Sequence, residues 1–470
     1  MDFEQVHKIY FIGIGGIGMS AAAGLAKESE LEVVGSDAKS LYDPARAVLE
    51  EHQIPYFVGY DANQVKDSKA DMYVASAGED MSNPEIAYLR ENDIEIYSLS
   101  EFLYLLSQDH LRVVVAGTHG KSTTAGMFGK TLSEIDDSSY MTGAVLQQSN
   151  SNYHKGEGHY FVFEGDEYKA LFDDPTPKFQ QYKPDILVLT NLEYDHPDVF
   201  ATLEELEDEF KQLLHSMPQD GLVSFNADNA SLVQLMHEVN TGHVSFGIHN
   251  KADFQAQNII YTPQGAKFDI VWTKVGATTV TEQYSTNLFG EINVYNALAV
   301  IATLRTLGFE QTNIQDGLSS YFGVKRRFEL IGEKNNVTIY DDYAHHPTAV
   351  RETLFAARTR YENNRVWAIF EPHTFSRTEA TLDDLAKSFI AANKVLVAEI
   401  YPARERKNEN SITSEEVVEA IAKHHSDARL VSDKQSALQI LQNEVEPGDV
   451  IIVMAVGAFN LLAKELLENL

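Results

Sequence analysis

LRVVVAGTHGKSTT, residues 111–124, decides the fold. Residues 112–116 read as a short buried strand, because Val113, Val114 and Val115 run together and a glycine bounds them. Gly117-Thr118-His119-Gly120-Lys121-Ser122 then reads as a phosphate-binding loop opening a helix that Thr123 continues. Glycines let backbone N–H groups turn inward around an anion, and the helix N-terminus adds partial positive charge. In such a loop Lys121 reaches the terminal phosphates of a nucleotide, and the Ser122 hydroxyl ligates Mg2+. Two residues separate the glycines here, where the common loop has four. The competing reading is an ordinary strand–turn–helix corner with an incidental lysine. The strand before the loop and the Ser-Thr-Thr after it favour the phosphate site.

Upstream, Lys8–Ile12 alternates as a strand, and Gly13-Ile14-Gly15-Gly16-Ile17-Gly18 follows at once. This is G-x-G-x-x-G between a strand and a helix, with Asp37 placed to hold a ribose or sugar hydroxyl. A dinucleotide and a nucleotide-sugar both satisfy it, because the loop sees only the diphosphate. The uncharged run 9–26 has nearly the length of a membrane span, but it holds five glycines and is better explained as a strand running into a helix. It does not read as a signal peptide. Further strand and helix patterns at 72–76 and Pro84–Glu91 extend an α/β unit to a polar joint at 107–109.

Downstream of the phosphate loop, strands at 160–163 and 186–190 deliver Glu164-Gly165-Asp166-Glu167 and Asn191-Leu192-Glu193-Tyr194-Asp195-His196 to their carboxyl ends. Ligands of a parallel sheet lie beyond that edge, so two sets of hard oxygen donors and a histidine converge on the loop as an Mg2+ site. Residues 202–214 read as an amphipathic, solvent-washed helix that needs no function. Asn293 and Asn296 share a helix face, to read a nucleobase edge or to cap the helix.

From Val324 onward, polar residues recur at strand ends. Lys325-Arg326-Arg327 offers guanidinium groups for phosphate. Asp341-Asp342-Tyr343-Ala344-His345-His346 and Glu371-Pro372-His373-Thr374-Phe375-Ser376-Arg377 follow two strands. This repetition marks a site on one sheet edge. The expected architecture is α/β in three domains: a Rossmann-like unit over 1–107, a central phosphate-loop ATPase unit over 108–323, and a C-terminal Rossmann-like unit over 324–470.

The 470 residues hold 37 Lys and Arg against 70 Asp and Glu, a net charge of −33. Such a chain repels nucleic acid and anionic membrane surfaces, so neither is an expected partner. Cysteine is absent, which excludes disulfides, thiolate metal sites and a cysteine nucleophile, and fits a cytoplasmic location.

Seven segments in order, GIGGIGMS, AGTHGKSTT, FEGDE, NLEYDHPD, KRRFE, DDYAHHP and EPHTFSRT, resemble the Mur ligase family of peptidoglycan synthesis over essentially the whole chain. The resemblance implies ATP-dependent joining of an amino acid to UDP-N-acetylmuramate through an acyl phosphate, with ATP and Mg2+ required. It assigns the UDP-sugar to Gly13, Gly15, Gly16, Ile17, Gly18, Met19, Ser20 and Asp37. It assigns ATP to Gly117 through Thr123, that is Thr118, His119, Gly120, Lys121 and Ser122 between them, with Asn296, Arg327 and Asp342. Metal ligation falls to Ser122, for the Mg2+ held with ATP, and to Glu164 and His196, for a second Mg2+. Tyr343, His345, His373 and Arg377 match positions that bind the incoming amino acid. Catalysis is carried by Lys121, Glu164, His196, Arg327 and His345. The pattern departs at Ile292, where the family has His, and at Gly165 and Tyr168.

EPHTFSRT and YPARE resemble the members that add L-alanine, whereas NLEYDHPDVF is also similar to those that add the tripeptide L-Ala-γ-D-Glu-meso-diaminopimelate. A non-catalytic nucleotide-sugar-binding protein and a dinucleotide-dependent oxidoreductase are the readings of other classes. A monomer or weak homodimer is expected.

Overall fold

The computed structural model describes residues 3–195, 199–273 and 279–470. Three sheets follow one another along the chain. The first has five parallel strands in the order Tyr56–Val58, Glu32–Asp37, Lys8–Ile12, Met72–Ala75, Tyr97–Ser98. Its order reverses beside Lys8–Ile12, and the helix Ile17–Glu28 leaves that strand through the glycine turn. The uncharged run is thus a strand and a helix, each buried on both sides.

The central sheet has ten strands among the described residues. Leu111–Ala116 lies between Ile186–Leu189 and Tyr160–Glu164, parallel to both. Val115 pairs with Glu164 and Ala116 with Leu189, so all three strands release their loops at one edge. Leu222–Asn226 and Gly242–Gly247 continue the parallel set. The alternating segments beyond 250 form an antiparallel extension, Phe254–Thr262, Gly265–Thr273 and Thr279–Thr286. The last sheet runs Glu329–Lys334, Val337–Asp342, Val450–Met454, Val366–Phe370, Lys394–Val397, Ala428–Leu430, and only its first strand is antiparallel.

Local chemistry sets the helix starts. Asn83 accepts from the Glu85 amide ahead of Pro84–Glu91, whose proline occupies the first turn. Ser98 and Glu101 form a reciprocal cap for Leu99–Leu106. Thr202 caps Leu203–Ser216, which buries Leu206, Phe210, Leu213 and Leu214 and exposes its acidic face. The helix Lys121–Asp136 differs: Gly120 stands at its N-cap and no side chain caps it, so its first N–H groups are left to the loop.

The hydrophobic core does not divide at the joint near Ser107. One buried cluster runs from Ile9 and Phe11 of the first sheet and Phe102 of the helix Leu99–Leu106 to Phe161, Phe163 and Leu187 of the second sheet. The C-terminal sheet has its own clusters on its two faces. The first two units are therefore joined by apolar packing, while the second and third meet through the Asp195–Arg377 and Thr348–Glu193 contacts and the Phe289–Phe328 ring pair.

Candidate active site

The phosphate loop takes the shape its glycines allow. Gly120 has φ +81°, and a Cβ there would lie 2.6 Å from Asn296 Oδ1. At Gly117, φ +130°, a Cβ would meet Thr190 Oγ1 at 2.4 Å. The loop is clamped from the neighbouring strand end. Asn191 accepts from the His119 amide at 2.8 Å and donates to the His119 carbonyl at 2.9 Å. Thr118 Oγ1 donates to the Glu193 carbonyl at 3.0 Å and accepts from its amide at 2.9 Å.

Lys121 folds back over this loop. Its Nζ donates to the Gly117 carbonyl at 2.6 Å, to that of Thr118 at 3.2 Å, and to Glu167 Oε1 at 2.8 Å. Burial works against the ammonium, but the carboxylates of Glu167, Asp166 and Glu164 outweigh it and raise the Lys121 pKa. Burial also raises Glu167, to about 7, against the opposing pull of Lys121. The 2.8 Å contact of Nζ with Glu167 is that of an ion pair.

Ser122 Oγ donates to Glu164 Oε1 at 2.7 Å, and Glu164 Oε2 accepts from the Gly143 amide at 2.6 Å. A hydroxyl and a carboxylate at the end of adjacent strands form the hard-oxygen donor set that Mg2+ takes. Thr123 is buried, and its carbonyl accepts from the Tyr321 hydroxyl at 3.0 Å. His196, expected to hold a second Mg2+ with Glu164, lies outside the described residues.

Asn296 is 3% exposed. Its Oδ1 accepts from Thr124 Oγ1 at 3.0 Å, and its Nδ2 donates to Asn293 Oδ1 at 2.9 Å. Both ends of the amide are thus engaged inside the protein, directly behind Gly120. Asn293 donates in turn to the Phe289 carbonyl, and Gly290, not an asparagine, is the N-cap of Glu291–Thr306.

The C-terminal unit brings its polar strand ends to the same place. The Arg326 and Arg327 guanidiniums lie over the Tyr343 ring, 4.9 and 5.2 Å from its centroid. Asp342, 3% exposed, accepts the Phe328 and Ala344 amides at 2.6 Å each. It therefore fixes the turn that carries Arg327. His345 Nδ1 lies 2.8 Å from the Tyr343 carbonyl, and its ring meets that of His373 edge-on at 5.3 Å. Burial, with the nearby Arg377 charge, pushes the His345 pKa well down.

Arg377 Nη1 lies 2.8 Å from His373 Nδ1, while Nε and Nη2 reach Asp195 Oδ1 at 3.0 Å each. Asp195 and Arg377 are each 5% exposed. This buried ion pair joins the central and C-terminal units. Sequence reasoning placed Arg377 in the site and set Asp195 among the oxygen donors of an Mg2+ site, whereas the structure gives the Asp195 carboxylate to Arg377. Glu167 was placed on the right loop without its partner Lys121. Neither pairing leaves a local signal, since the partners stand 182 and 46 positions apart.

At the first sheet, the Gly15 amide donates to Asp37 Oδ2 at 2.8 Å. Gly16 and Ile17 are exposed, and Gly15 and Gly18 are half-buried. Gly13 is buried. Met19 and Ser20, 3% and 1% exposed, turn into the protein, and the Ser20 hydroxyl bonds the Gly16 and Ile17 carbonyls.

Family comparisons agree with this architecture. The Mur ligase family catalytic domain matches residues 8–110, the Mur ligase middle domain 115–304, and the Mur ligase glutamate ligase domain 326–457. A UDP-N-acetylmuramate–L-alanine ligase of Clostridium acetobutylicum is 34% identical over 453 residues, 96% of this chain and 95% of that one. The corresponding enzyme of Desulforapulum autotrophicum is 34% identical over 470 residues, the full length of both. Among solved structures, a UDP-N-acetylmuramate–alanine ligase of Thermotoga maritima superposes with TM-score 0.78 at 25% identity, covering 98% of each chain. A murein peptide ligase of Psychrobacter arcticus does so with TM-score 0.71 at 27% identity, also over 98% of each. The chain belongs to the Mur ligase family, as an ATP-dependent acid–amino acid ligase of peptidoglycan synthesis.

Proposed function

We propose that this chain joins L-alanine to UDP-N-acetylmuramate at the expense of ATP. The observation that carries the reading is the cluster of His345, His373 and Arg377, tied through Asp195 to the loop after Ile186–Leu189, in a chain similar throughout to alanine-adding ligases. In the proposed division, 1–107 holds the UDP-sugar, 108–323 holds ATP, and 324–470 holds the amino acid. The exposed glycine turn around Gly16 takes the diphosphate.

In the first step a muramate carboxylate oxygen attacks the γ-phosphorus of ATP, and ADP leaves. In the second, the alanine amine attacks the acyl-phosphate carbonyl, forming the amide and releasing phosphate and a proton. Lys121 holds the phosphates once it leaves Glu167, and Arg327 approaches them from the C-terminal side. Ser122 and Glu164, with His196, would hold Mg2+, which when bound offsets phosphate charge. Arg377 pairs the amino-acid carboxylate, and His345, kept neutral by its burial, is an acceptor for the amine proton. Asn296 buttresses Gly120, with both ends of its amide turned to the protein.

A second reading is tripeptide addition, favoured by the likeness to the Psychrobacter arcticus murein peptide ligase. Phosphate release from ATP and UDP-N-acetylmuramate, with L-alanine or with L-Ala-γ-D-Glu-meso-diaminopimelate, separates the two. Turnover with alanine alone supports the first reading, and turnover with the tripeptide alone replaces it by the second. Turnover with neither overturns both.

A further inference from the structure

His119, Glu193 and His346 come together from three separate segments: the phosphate loop, the loop after Ile186–Leu189, and the N-cap of the helix Pro347–Arg360. One ligand atom from each lies within 4.8 Å of the other two. His119 Nε2 already stands 3.4 Å from Glu193 Oε2, and the two imidazoles face each other with centroids 4.6 Å apart. His119 Nε2 is buried and forms no hydrogen bond with the described residues. His346 is 8% exposed.

From this geometry we infer that the three residues form a binding site for a d-block divalent cation of the zinc class, which clamps the central unit to the C-terminal unit. Two imidazoles and one carboxylate suit Zn2+ and its neighbours in the series rather than Mg2+, which prefers oxygen donors throughout. This ion is distinct from the Mg2+ proposed at Ser122 and Glu164. Tetrahedral bonds of about 2.05 Å put the donor atoms about 3.3 Å apart, so the site closes on an ion with sub-ångström shifts of each side chain.

The surroundings hold the ligands in place. Thr348 Oγ1 donates to Glu193 Oε2 at 2.9 Å and orients that carboxylate, as an outer-shell partner does. The bond from the Thr348 amide to His346 Nδ1 is long, 3.4 Å, and restrains the ring weakly. The ion would span the same seam as the Asp195–Arg377 pair.

The test is calorimetric titration of the full chain, stripped by chelator and free of nucleotide, with ZnCl2. Co2+ substitution serves as a spectroscopic check on nitrogen-rich, low-coordinate ligation. The wild type should take up one Zn2+ that survives Glu164→Gln. His346→Asn, which keeps a helix-capping side chain, and Glu193→Gln should each weaken it by more than about tenfold. The visible Co2+ band should fall in step, and millimolar Mg2+ should not displace the ion. No uptake by the wild type overturns the proposal, as does an ion lost in Glu164→Gln or held equally well by both ligand variants. The wild-type titration and Co2+ spectrum decide the matter even where a ligand variant fails to fold.

Discussion

Glu167→Gln tests whether a buried carboxylate competes with the nucleotide for Lys121. Glu167 is 2% exposed, and its Oε1 is 2.8 Å from Lys121 Nζ. Glutamine keeps an acceptor oxygen in nearly the same place and removes the charge. A hydrogen bond to a charged group contributes about 1.5–3 kcal/mol against about 0.5–1.5 for a neutral one, so the exchange costs roughly 2 kcal/mol at most. That is below the roughly 3–5 kcal/mol for stripping one member from a buried pair, because the oxygen stays. For a unit of the central domain's size this lowers the melting temperature by about 4–8 °C. The same interaction must be given up when Lys121 turns to phosphate. Its loss should therefore tighten ATP binding, by up to about 30-fold for 2 kcal/mol. Thermal melts with and without ATP, and a nucleotide titration, measure both effects. A variant that melts lower and binds ATP more tightly supports the competition. Weaker ATP binding with an unchanged melt would refute it and make Glu167 an ally of Lys121 in the nucleotide complex.

Other perturbations have equally definite outcomes. Gly120→Ala should reduce ATP-dependent phosphate release by more than about tenfold, because left-handed strain of about 1–2 kcal/mol adds to the clash with Asn296. Gly59→Ala, at φ +87° with nothing within 4 Å of the new Cβ, carries the strain alone and should leave kinetics unchanged. Asp341 is buried, and burial raises its pKa to about 6 despite Arg326. A folded pKa above the unfolded one gives stability that is full below about 3.9 and lost as pH rises through 6, so the wild type should lose roughly 2–3 kcal/mol across that window. Asp341→Asn should flatten that slope relative to wild type, and melts taken at half-unit steps of pH check it; parallel slopes would refute it. Arg377→Lys should raise the amino-acid KM by about 10–100-fold, since one ammonium cannot reproduce the fork that reaches Asp195 and His373, and should leave the ATP KM alone. A change confined to the ATP KM would remove Arg377 from the amino-acid site. Glu164→Gln should raise the Mg2+ concentration needed for half-maximal turnover, read by metal titration at saturating ATP.

Features set by neighbouring residues were legible in the sequence. Pro84–Glu91 was bounded correctly because an asparagine, a proline and the apolar spacing act within one turn. The phosphate loop was legible because Gly117, Gly120 and Lys121 form one local device. Asn296 shows where this legibility ends. Its spacing from Asn293 correctly put both on one face, and Nδ2 does meet Oδ1. Yet Glu291–Thr306 buries residues around nearly its whole circumference, so periodicity gave no direction for that face. The antiparallel strands beyond 250 alternate in sequence, but alternation carries no pairing order. Asp195–Arg377 and His119–Glu193–His346 exist only because separate strand ends meet in space.

These long-range pairings share a physical origin. Three groups proposed to bind anionic parts of the substrates are each held by a carboxylate of the chain itself: the Gly15 amide by Asp37, Lys121 by Glu167, and Arg377 by Asp195. The two cations are largely buried, and a buried cation without a partner is costly enough to unfold a marginal structure. An internal carboxylate removes that cost, and its geometry keeps the cationic fork or amide aimed where an anion is to sit. Binding is then an exchange of one anion for another, and its net free energy is the difference between two similar interactions. In a chain with net charge −33, such exchange would let anionic substrates be accepted against the overall field. In the proposed function they meet not the average charge but three cationic or N–H positions, each already organised by a carboxylate of the chain.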